Sequence, residues 1–305
     1  MDATNNSMSV PIQPWFVPID ILDIICLAIV LIIVSFFLTI IIFDKTCHSI
    51  PMLLVANSCA TELVFTGDIL WMAIVTLQND LTNNMHPDSL CIFRGYVSYV
   101  MCCAQNYSYL LQAVNRYLSV VYPTRLFWQT KRVQIFLIVI MWIVAIVCAW
   151  PHLFTSRINY LPDNQICQMP LQFSIISLYN VFFLYIIPMN GIILIYLKLV
   201  RYVKAMNTRV TPVNTLLRAR RDLTMVYRIV ILVLILLALG FPYVVFIFMG
   251  YFSTPPRYHF RIAYVFVDVS LVLIMVTIFR ITDPLKASIM RRVNRREITS
   301  VVTVT

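Results

Sequence analysis

The sequence predicts an all-α membrane protein, a bundle of seven transmembrane helices with a short amphipathic cytoplasmic helix after the seventh. The 305 residues are 61% hydrophobic and only 12% charged, whereas a soluble domain carries about 25% charged residues. The apolar residues form long continuous runs, and helices satisfy their own backbone hydrogen bonds in lipid. The net charge of +10 is therefore assigned to basic cytoplasmic loops, and no nucleic-acid partner is expected.

Seven apolar runs are long enough to cross a bilayer, which takes ~20 helical residues. They are Ile19–Phe43, Pro51–Leu77, Cys91–Val121, Val133–Trp150, Phe173–Leu199, Leu223–Phe252 and Ile262–Ile281. Seven crossings place the two termini on opposite sides of the membrane. If the N-terminus is outside, the basic residues in outer loops are only Arg94, Arg157, Arg257 and Arg261. The positive-inside rule then predicts an extracellular N-terminus and a cytoplasmic C-terminus.

Two flanking segments complete the predicted organisation around the seven-helix domain at 19–283. Residues 1–18 form an extracellular segment without a basic n-region, so no cleaved signal peptide is expected. Asn5 begins a glycosylation sequon, which is usable only outside the cell. Residues 284–305 form a cytoplasmic segment in which Leu285, Ile289 and Val293 recur at a spacing of four. That spacing predicts a helix on the inner membrane surface, where its basic residues contact anionic lipid.

The cysteines predict one disulfide. Cys91 and Cys167 are the only two of the eight that the topology places outside, where disulfides persist. We expect them to pair, with two free thiols as the alternative. Most of the others lie inside apolar runs and behave as small hydrophobic residues.

Arg116 places a full positive charge at the inner end of the third run. A charge at that position needs water, a lipid headgroup or a partner. One interpretation is an arginine that anchors the helix end by reaching the headgroups. The surrounding motifs favour a different role.

The spacing of these motifs resembles one receptor family. Asn115-Arg116-Tyr117 stands at the family's usual intervals after Cys91 and before Trp142. Further matches, each at the family's position, are Pro123, Pro188, Tyr196, Pro242 and Asp283-Pro284. Across its whole length the chain resembles the rhodopsin-like (class A) family of G-protein-coupled receptors.

The resemblance implies roles for the matching residues. Arg116 resembles the arginine of the family's Asp-Arg-Tyr motif, which meets the G protein when the receptor opens. Tyr196 resembles the helix-five tyrosine that stabilises the open state. Pro242 and Pro284 resemble the prolines that kink helices six and seven. Kinked helices can pivot, although each proline could instead make a static kink.

The chain departs from the family's pattern at the switch residues. Asn115 replaces the acid beside Arg116, Gly240 replaces a helix-six tryptophan, and Ala287 replaces the tyrosine of NPxxY. Asp222, at the start of run six, is a candidate to pair with Arg116 and hold the closed state. An exposed pair is worth only ~0–1 kcal/mol. Alternatively, Asp222 lies in a solvated turn beside neighbouring arginines.

Acids within the membrane predict a polar site. Glu62 and Asp283 occupy positions where the family carries polar residues that can bind sodium, and a mid-membrane charge costs roughly 2.5–3.5 kcal/mol. Ser35, Gln105 and Asn106 are candidate polar partners. The alternative is a hydrogen-bonded pair in which one acid keeps its proton and no ion binds.

The resemblance implies a ligand pocket between the outer halves of the helices. Its candidate residues are Asp68, Trp71, Arg94, Ser98, Tyr99, Tyr243, Phe246, Tyr264 and Asp268. Ser98 stands where amine receptors have an aspartate, so an amine ligand is disfavoured unless Asp68 or Asp268 substitutes. For most of the aromatic residues, packing and interfacial anchoring is the alternative. The interior of run seven has no lysine, so no retinal or other cofactor is expected.

Together these features predict a non-enzymatic receptor in the plasma membrane. It would pass a signal from an extracellular peptide or small molecule to a heterotrimeric G protein. A channel or transporter that uses Glu62, Asp68 and Asp283 is the alternative, although the chain has no internal repeat. A membrane hydrolase is disfavoured because the four histidines are scattered and no nucleophile motif is present.

Overall fold

The computed structural model describes residues 13–82, 86–155, 157–207, 237, 240–282 and 285–291. Its long helices are α1 (Phe16–Phe43), α2 (Ile50–Thr82), α3 (Cys91–Val121), α4 (Lys131–Ala149), α5 (Ile175–Asn180, Val181–Ile186 and Ile187–Asn207), α6 (Gly240–Phe252) and α7 (His259–Ile281). The predicted site residues Asn5, Asp222, Asp283 and Pro284 lie outside the described residues.

Five helices in the described part of the chain are long and apolar enough to cross a membrane. They are α1, α2, α4 with its extension to Phe154, α5 and α7. The described portion of α6 is short, and α3 is more polar than the sequence prediction of an apolar run implied. α3 packs against α2, α4 and α5 at the centre of the bundle. Its polar side chains therefore face protein rather than lipid, which is where a membrane helix tolerates them.

The outward faces of the helices are apolar, as a lipid environment requires. In α1, Leu27, Val30 and Val34 are fully buried, whereas Ile32 and Phe36 on the opposite face are exposed. The buried residues pack on α2 and α7. A helix that is hydrophobic all round is typical of a membrane span.

Two helices extend beyond the predicted apolar runs and include charged residues there. Cys91–Val121 is reproduced by α3. However, α2 continues past Leu77 to Thr82 and carries Asp80 on its last turns, and α7 begins at His259 rather than Ile262. Arg261 was assigned to an outer loop but lies on the first turn of α7. Charged residues that the hydropathy pattern excluded thus enter the bundle.

A β-hairpin that the sequence did not predict covers one end of the bundle. Strands β1 (Asn159–Leu161) and β2 (Ile166–Gln168) pair antiparallel, with Tyr160 opposite Cys167. The Cys91–Cys167 disulfide ties β2 to the first turn of α3, which confirms the predicted pairing. We call this end the outer end, following the predicted topology.

The middle of α5 contains a π-helical segment, Val181–Ile186. Pro188 follows it, and a proline has no N–H to donate to the carbonyl four residues earlier, which is that of Leu184. The side chain of Asn106 in α3 donates to this carbonyl at 2.8 Å. The hydroxyl of Tyr107 donates to the carbonyl of Phe183 at 3.2 Å. Side chains of α3 therefore satisfy backbone groups of α5 within the membrane.

Residues 285–291 form a helical segment at the inner end. Leu285 is fully buried and Ile289 packs against the core of the bundle, as their spacing predicted; Val293 lies outside the described residues. The Ser288 hydroxyl donates to the Asp44 carboxylate in the first inner loop. The Thr46 amide and hydroxyl donate to the same carboxylate at 2.9 and 2.8 Å. These hydrogen bonds lower the pKa of Asp44 below its ordinary value.

Candidate functional site

Arg261 forms the centre of a buried ion-pair group at the outer end. Its side chain is buried, with the residue only 5% exposed. The guanidinium donates to Asp80 of α2 at 2.7 and 3.1 Å and to Asp20 of α1 at 3.2 and 3.3 Å. It also lies over the ring of Phe16, 4.1 Å from the centroid, a cation–π contact. One arginine therefore links α1, α2 and α7.

The turn of the hairpin docks onto this group. Gln165 has a positive φ of 54°, a conformation that is uncommon for a residue other than glycine. Its side chain donates to Asp80, and its carbonyl accepts from Thr76 at 3.4 Å. The Asn164 side chain accepts from the backbone N–H groups of Phe260 and Arg261 at 3.2 and 3.4 Å. The strained turn is thus held against α2 and α7.

A cleft opens beside the ion-pair group, between α1, α2, α7 and the hairpin. It is partly open to solvent, and its cavity volume is about 40 Å³. It is lined by Asp20, Asp23, Ile69, Met72, Ala73, Thr76, Asn164, Ile166, Arg261, Tyr264 and Asp268. One wall is apolar and the other carries carboxylates.

Two of these carboxylates have unsatisfied oxygens. Asp268 is 1% exposed, and within the described part of the chain neither of its oxygens has a hydrogen-bond partner. Asp23, one turn beyond Asp20 on α1, is 7% exposed and has one oxygen in the same condition. A buried carboxylate without a partner is costly. These two acids are therefore chemically distinct from Asp20 and Asp80, which Arg261 satisfies.

The hairpin divides the predicted ligand pocket into separate parts. Gln168 of β2 donates to the Ser98 hydroxyl at 3.1 Å and to the Tyr264 hydroxyl at 2.9 Å. The Met169 amide donates to the Tyr99 hydroxyl at 3.3 Å. Ser98 and Tyr99 are therefore engaged by the hairpin, whereas Tyr264 and Asp268 also line the cleft.

The aromatic candidates on α6 pack against α7 and the hairpin. The ring of Tyr243 lies 6.3 Å from that of Phe260, and the ring of Phe246 lies 6.3 Å from that of His259. Both also pack on the buried cluster that contains Ile166. Tyr243 and Phe246 thus pack within the bundle, which was the alternative to ligand contact for the aromatic residues.

A third part of the predicted ligand pocket lies at its rim and contains Arg94, Trp71 and Asp68. Arg94 donates to Asp88 at 2.8 and 2.5 Å, and its guanidinium lies 5.7 Å from the centroid of Trp71. Trp71 is 54% exposed and does not line the cleft, so its place in a ligand pocket stays a prediction. Asp68 is half-buried, and its Oδ2 has no hydrogen-bond partner among the described residues.

A second polar group lies deeper in the bundle around Glu62. This fully buried acid accepts a hydrogen bond from the Gln105 amide. The Thr61 hydroxyl donates to the Gln105 carbonyl oxygen at 2.5 Å, and the amide also donates to the Tyr109 hydroxyl at 2.6 Å. The prediction that Ser35 joins this group is wrong, because its position on α1 is exposed.

The geometry around Glu62 supplies little of a sodium site. The described residues leave one oxygen of Glu62 without a partner. The Gln105 amide presents its nitrogen to Glu62, and Asn106 turns away to bond Leu184. No group of three or more His, Cys, Asp or Glu side chains within the described ranges could hold a metal ion. The residues present fit a hydrogen-bonded acid better than a bound ion.

The inner end of α3 carries the Asn115-Arg116-Tyr117 motif. Asn115 is buried and Arg116 is half-buried. The Arg116 charge lies within electrostatic reach of the Tyr196 hydroxyl on α5, which is buried in the core. Tyr117 packs edge-on against Tyr122, with ring centroids 6.2 Å apart. The structure thus brings Arg116 and Tyr196 together, whereas the predicted partner Asp222 lies outside the described residues.

Gly240 leaves space that Tyr185 occupies. A side chain at position 240 would begin 2.6 Å from the Tyr185 hydroxyl oxygen of α5. The hydroxyl therefore stands where the family's helix-six tryptophan would project. Pro242 follows within α6 and is half-buried. Tyr185 of α5 therefore contacts α6 at this level.

The sequence prediction missed the ion-pair group and Asp23. Asp20 and Asp23 lie inside the first apolar run, and an acid in a membrane segment indicates a functional or paired site. That signal was present in the sequence. The partner Arg261 was hidden because it was counted as a loop residue.

The family assignment rests on comparison with known proteins. The family model described as "7 transmembrane receptor (rhodopsin family)" matches residues 26–296. The crystal structure of squid rhodopsin matches with a TM-score of 0.74 and 14% sequence identity, covering 93% of this chain and 86% of that one. No curated protein matches the sequence. The structural likeness shows the fold, and the family model spans most of the chain. The chain therefore belongs to the rhodopsin family of seven-transmembrane G-protein-coupled receptors.

Proposed function

We propose that this receptor lies in the plasma membrane with its N-terminus outside, binds a peptide or small molecule at the outer end and activates a heterotrimeric G protein at the inner end. The observation that supports the proposal is the partly open cleft beneath the hairpin, with its apolar surface and buried carboxylates. The hairpin is held by a disulfide, a bond that persists in an oxidising, extracellular environment. Glycosylation at Asn5 belongs to the same proposed orientation.

The inner end supplies the proposed coupling surface. Arg116 and the neighbouring Tyr196 lie at the end of the bundle where the basic loops begin. Ligand binding would shift the receptor between closed and open states. Pro242 and Pro284 would act as pivots, and the Tyr185 contact with Gly240 lies beside the first of them. An Asp222–Arg116 pair would favour the closed state.

Nucleotide exchange on purified G proteins tests the coupling role. Membranes that contain the receptor should accelerate exchange without added ligand, and Arg116→Ala should abolish the acceleration. Arg125→Ala is the matched control, because Arg125 is also at the inner end and, among the described residues, its side chain forms a cation–π pair with the Tyr122 ring at 5.5 Å. Equal exchange with wild type and Arg116→Ala would contradict the proposed role of Arg116.

The alternatives have less support. The family is generally not enzymatic, and no observation favours a channel or transporter. The sodium hypothesis requires Asp283 to complete the Glu62 group. A sodium response of nucleotide exchange that disappears in Glu62→Ala would support it. Nucleotide exchange that is insensitive to sodium in both wild type and Glu62→Ala would contradict the sodium hypothesis.

A further inference from the structure

We infer that the outer cleft binds an organic cation, an amine or guanidinium carried on an apolar group, with Asp268 and Asp23 as its anionic partners. The inference rests on the proposed function of the cleft as a ligand site and names the class of ligand. The pocket residues predicted from the sequence did not include Asp20, Asp23 or Asp80. The site lies between α1, α2 and α7, away from the Ser98 position on α3.

The charge balance of the cleft is the first argument. Asp20, Asp80 and Arg261 form one hydrogen-bonded group in which a single cation serves two acids. Asp23 and Asp268 add two further acids to the same space. No second Lys or Arg lines the cleft among the residues that the structure describes. Three acids and one arginine therefore line the cleft, a balance that favours an entering cation over an entering anion.

Unsatisfied hydrogen-bonding capacity is the second argument. Asp268 has two buried oxygens without a described partner, and Asp23 has one. Both side chains line the cleft. An ammonium brings three donors and a guanidinium brings five. Either group would satisfy these oxygens by charge-assisted hydrogen bonds, which are the strong ones.

The remaining walls determine what the cation is attached to. Ile69, Met72 and Ala73 of α2 and Ile166 of the hairpin present apolar surface, and Tyr264 presents an aromatic ring. Burial of an apolar group against them contributes about 25 cal/mol per Å². A simple hydrated ion would gain none of that burial. The walls therefore favour an apolar amine, or a peptide end that joins a cationic and an apolar side chain.

Thermal denaturation of the full-length receptor in lipid nanodiscs tests the inference without a G protein. One arm uses a series of alkylamines and phenethylamine, each against the alcohol of the same shape. A second arm uses the dipeptide amide of phenylalanine and arginine against its uncharged citrulline analogue. At millimolar concentration the cationic member of each pair should raise Tm, and the neutral member should not. The arm with the larger shift identifies a small amine or a peptide as the source.

Variants assign the effect to the cleft. Asp268→Asn and Asp23→Asn keep the shape of the side chain and should each weaken cation affinity roughly tenfold or more. Asp163→Asn is the matched control, since Asp163 pairs with Arg257 on the hairpin surface. The Tm of each variant with ligand is compared with the Tm of the same variant without ligand. The test therefore needs only one of the two variants to fold. Cations that shift Tm no more than their neutral partners, or full affinity in the variants, would overturn the inference.

The outcome separates this inference from the proposed function. Cation binding without any change in nucleotide exchange would leave the cation site standing and count against signalling from the cleft. Exchange that depends on Arg116, together with no preference for cations, would remove the cation site and leave the coupling role intact.

Discussion

Two junctions hold distant segments together, and they differ in burial. At the outer end, Arg261 joins α7 to α1 and α2 beneath the hairpin, and the side chains of Arg261, Asp20 and Asp80 are all buried. At the inner end, Asp44 joins the first inner loop to the helix at 285–291 and is only half-buried. Both use an aspartate with several donors. The contribution of such a group to stability depends on what replaces its hydrogen bonds when they are broken, and water reaches the half-buried inner acid more readily than the buried outer ones.

The largest effect is expected from Arg261→Leu. Removal of one partner from a buried ion-pair group costs about 3–5 kcal/mol, because the other charges stay buried and unpaired. The measurement is the Tm of the purified receptor, which should fall strongly. Adding Asp80→Asn to Arg261→Leu should recover part of the loss.

Arg257→Leu is the control for that change. Its side chain is 54% exposed and pairs with Asp163 at 2.8 Å, and exposed pairs contribute only ~0–1 kcal/mol. Equal losses of Tm in Arg257→Leu and Arg261→Leu would show that burial does not distinguish the two pairs.

The second-largest loss of stability is expected from removal of the disulfide. Cys167→Ser releases a loop of 76 residues and should cost about 2–5 kcal/mol of the free energy of unfolding. The hairpin would also lose its attachment to α3, so ligand binding in the cleft should weaken. Cys26→Ser, which changes a free cysteine, should leave Tm nearly unchanged. If both variants behave alike, the hairpin is held by its hydrogen bonds instead.

A smaller effect is expected where the hairpin approaches α3. The Cβ of Gly95→Ala would overlap the Cys167 carbonyl oxygen and lie 2.8 Å from a methyl carbon of Ile158. Overpacking of this kind costs about 1–3 kcal/mol, measurable as a lower Tm. Gly67→Ala in α2 meets nothing within 4 Å and should be neutral or slightly stabilising. A loss in Gly67→Ala of the same size would argue against the steric explanation.

The smallest effect is expected from Asp44→Asn at the inner junction. The hydrogen bonds that lower the Asp44 pKa stabilise the ionised form, so their contribution is present above about pH 4. It is lost as the pH falls below that value toward the depressed pKa of the folded state. The hydrogen-exchange protection factors of residues 285–291, taken relative to the intrinsic rate at each pH, should fall slightly in Asp44→Asn at neutral pH and in wild type at low pH. Wild-type protection factors that do not change on acidification would contradict the role of Asp44.

Much of the fold was predictable because lipid imposes a simple pattern. The apolar runs located the helices, and α3 began and ended where its run did. The β-hairpin and the π-helical turn escaped prediction, since each depends on contacts with other segments. Gln165 adopts its positive φ against Asp80, and no local signal marks that position.

The site was predicted less completely than the fold. The disulfide was predicted because Cys91 and Cys167 are the two cysteines that the topology places outside. Motif spacing singled out Arg116 and Tyr196, but it did not predict that they lie close together. Nine pocket residues were expected in one place, yet the hairpin residue Gln168 separates Ser98 from the cleft. Which side of a helix a residue faces depends on neighbouring helices that the sequence alone does not locate. Asp268 was found because an acid in an apolar run stands out, and Asp23 was overlooked despite the same signal.

The π-helical segment of α5 has a consequence for reading this sequence against its relatives. An extra residue in one turn rotates everything beyond it by about 100°. Positions counted from Pro188 toward the outer end in ordinary helical register are therefore displaced around the helix axis. Asn180, just beyond the segment, faces inward and hydrogen-bonds His152 at 2.7 Å. Alignments of this region should place a gap near 181–186 before outer α5 residues are compared with those of relatives whose α5 lacks such a segment.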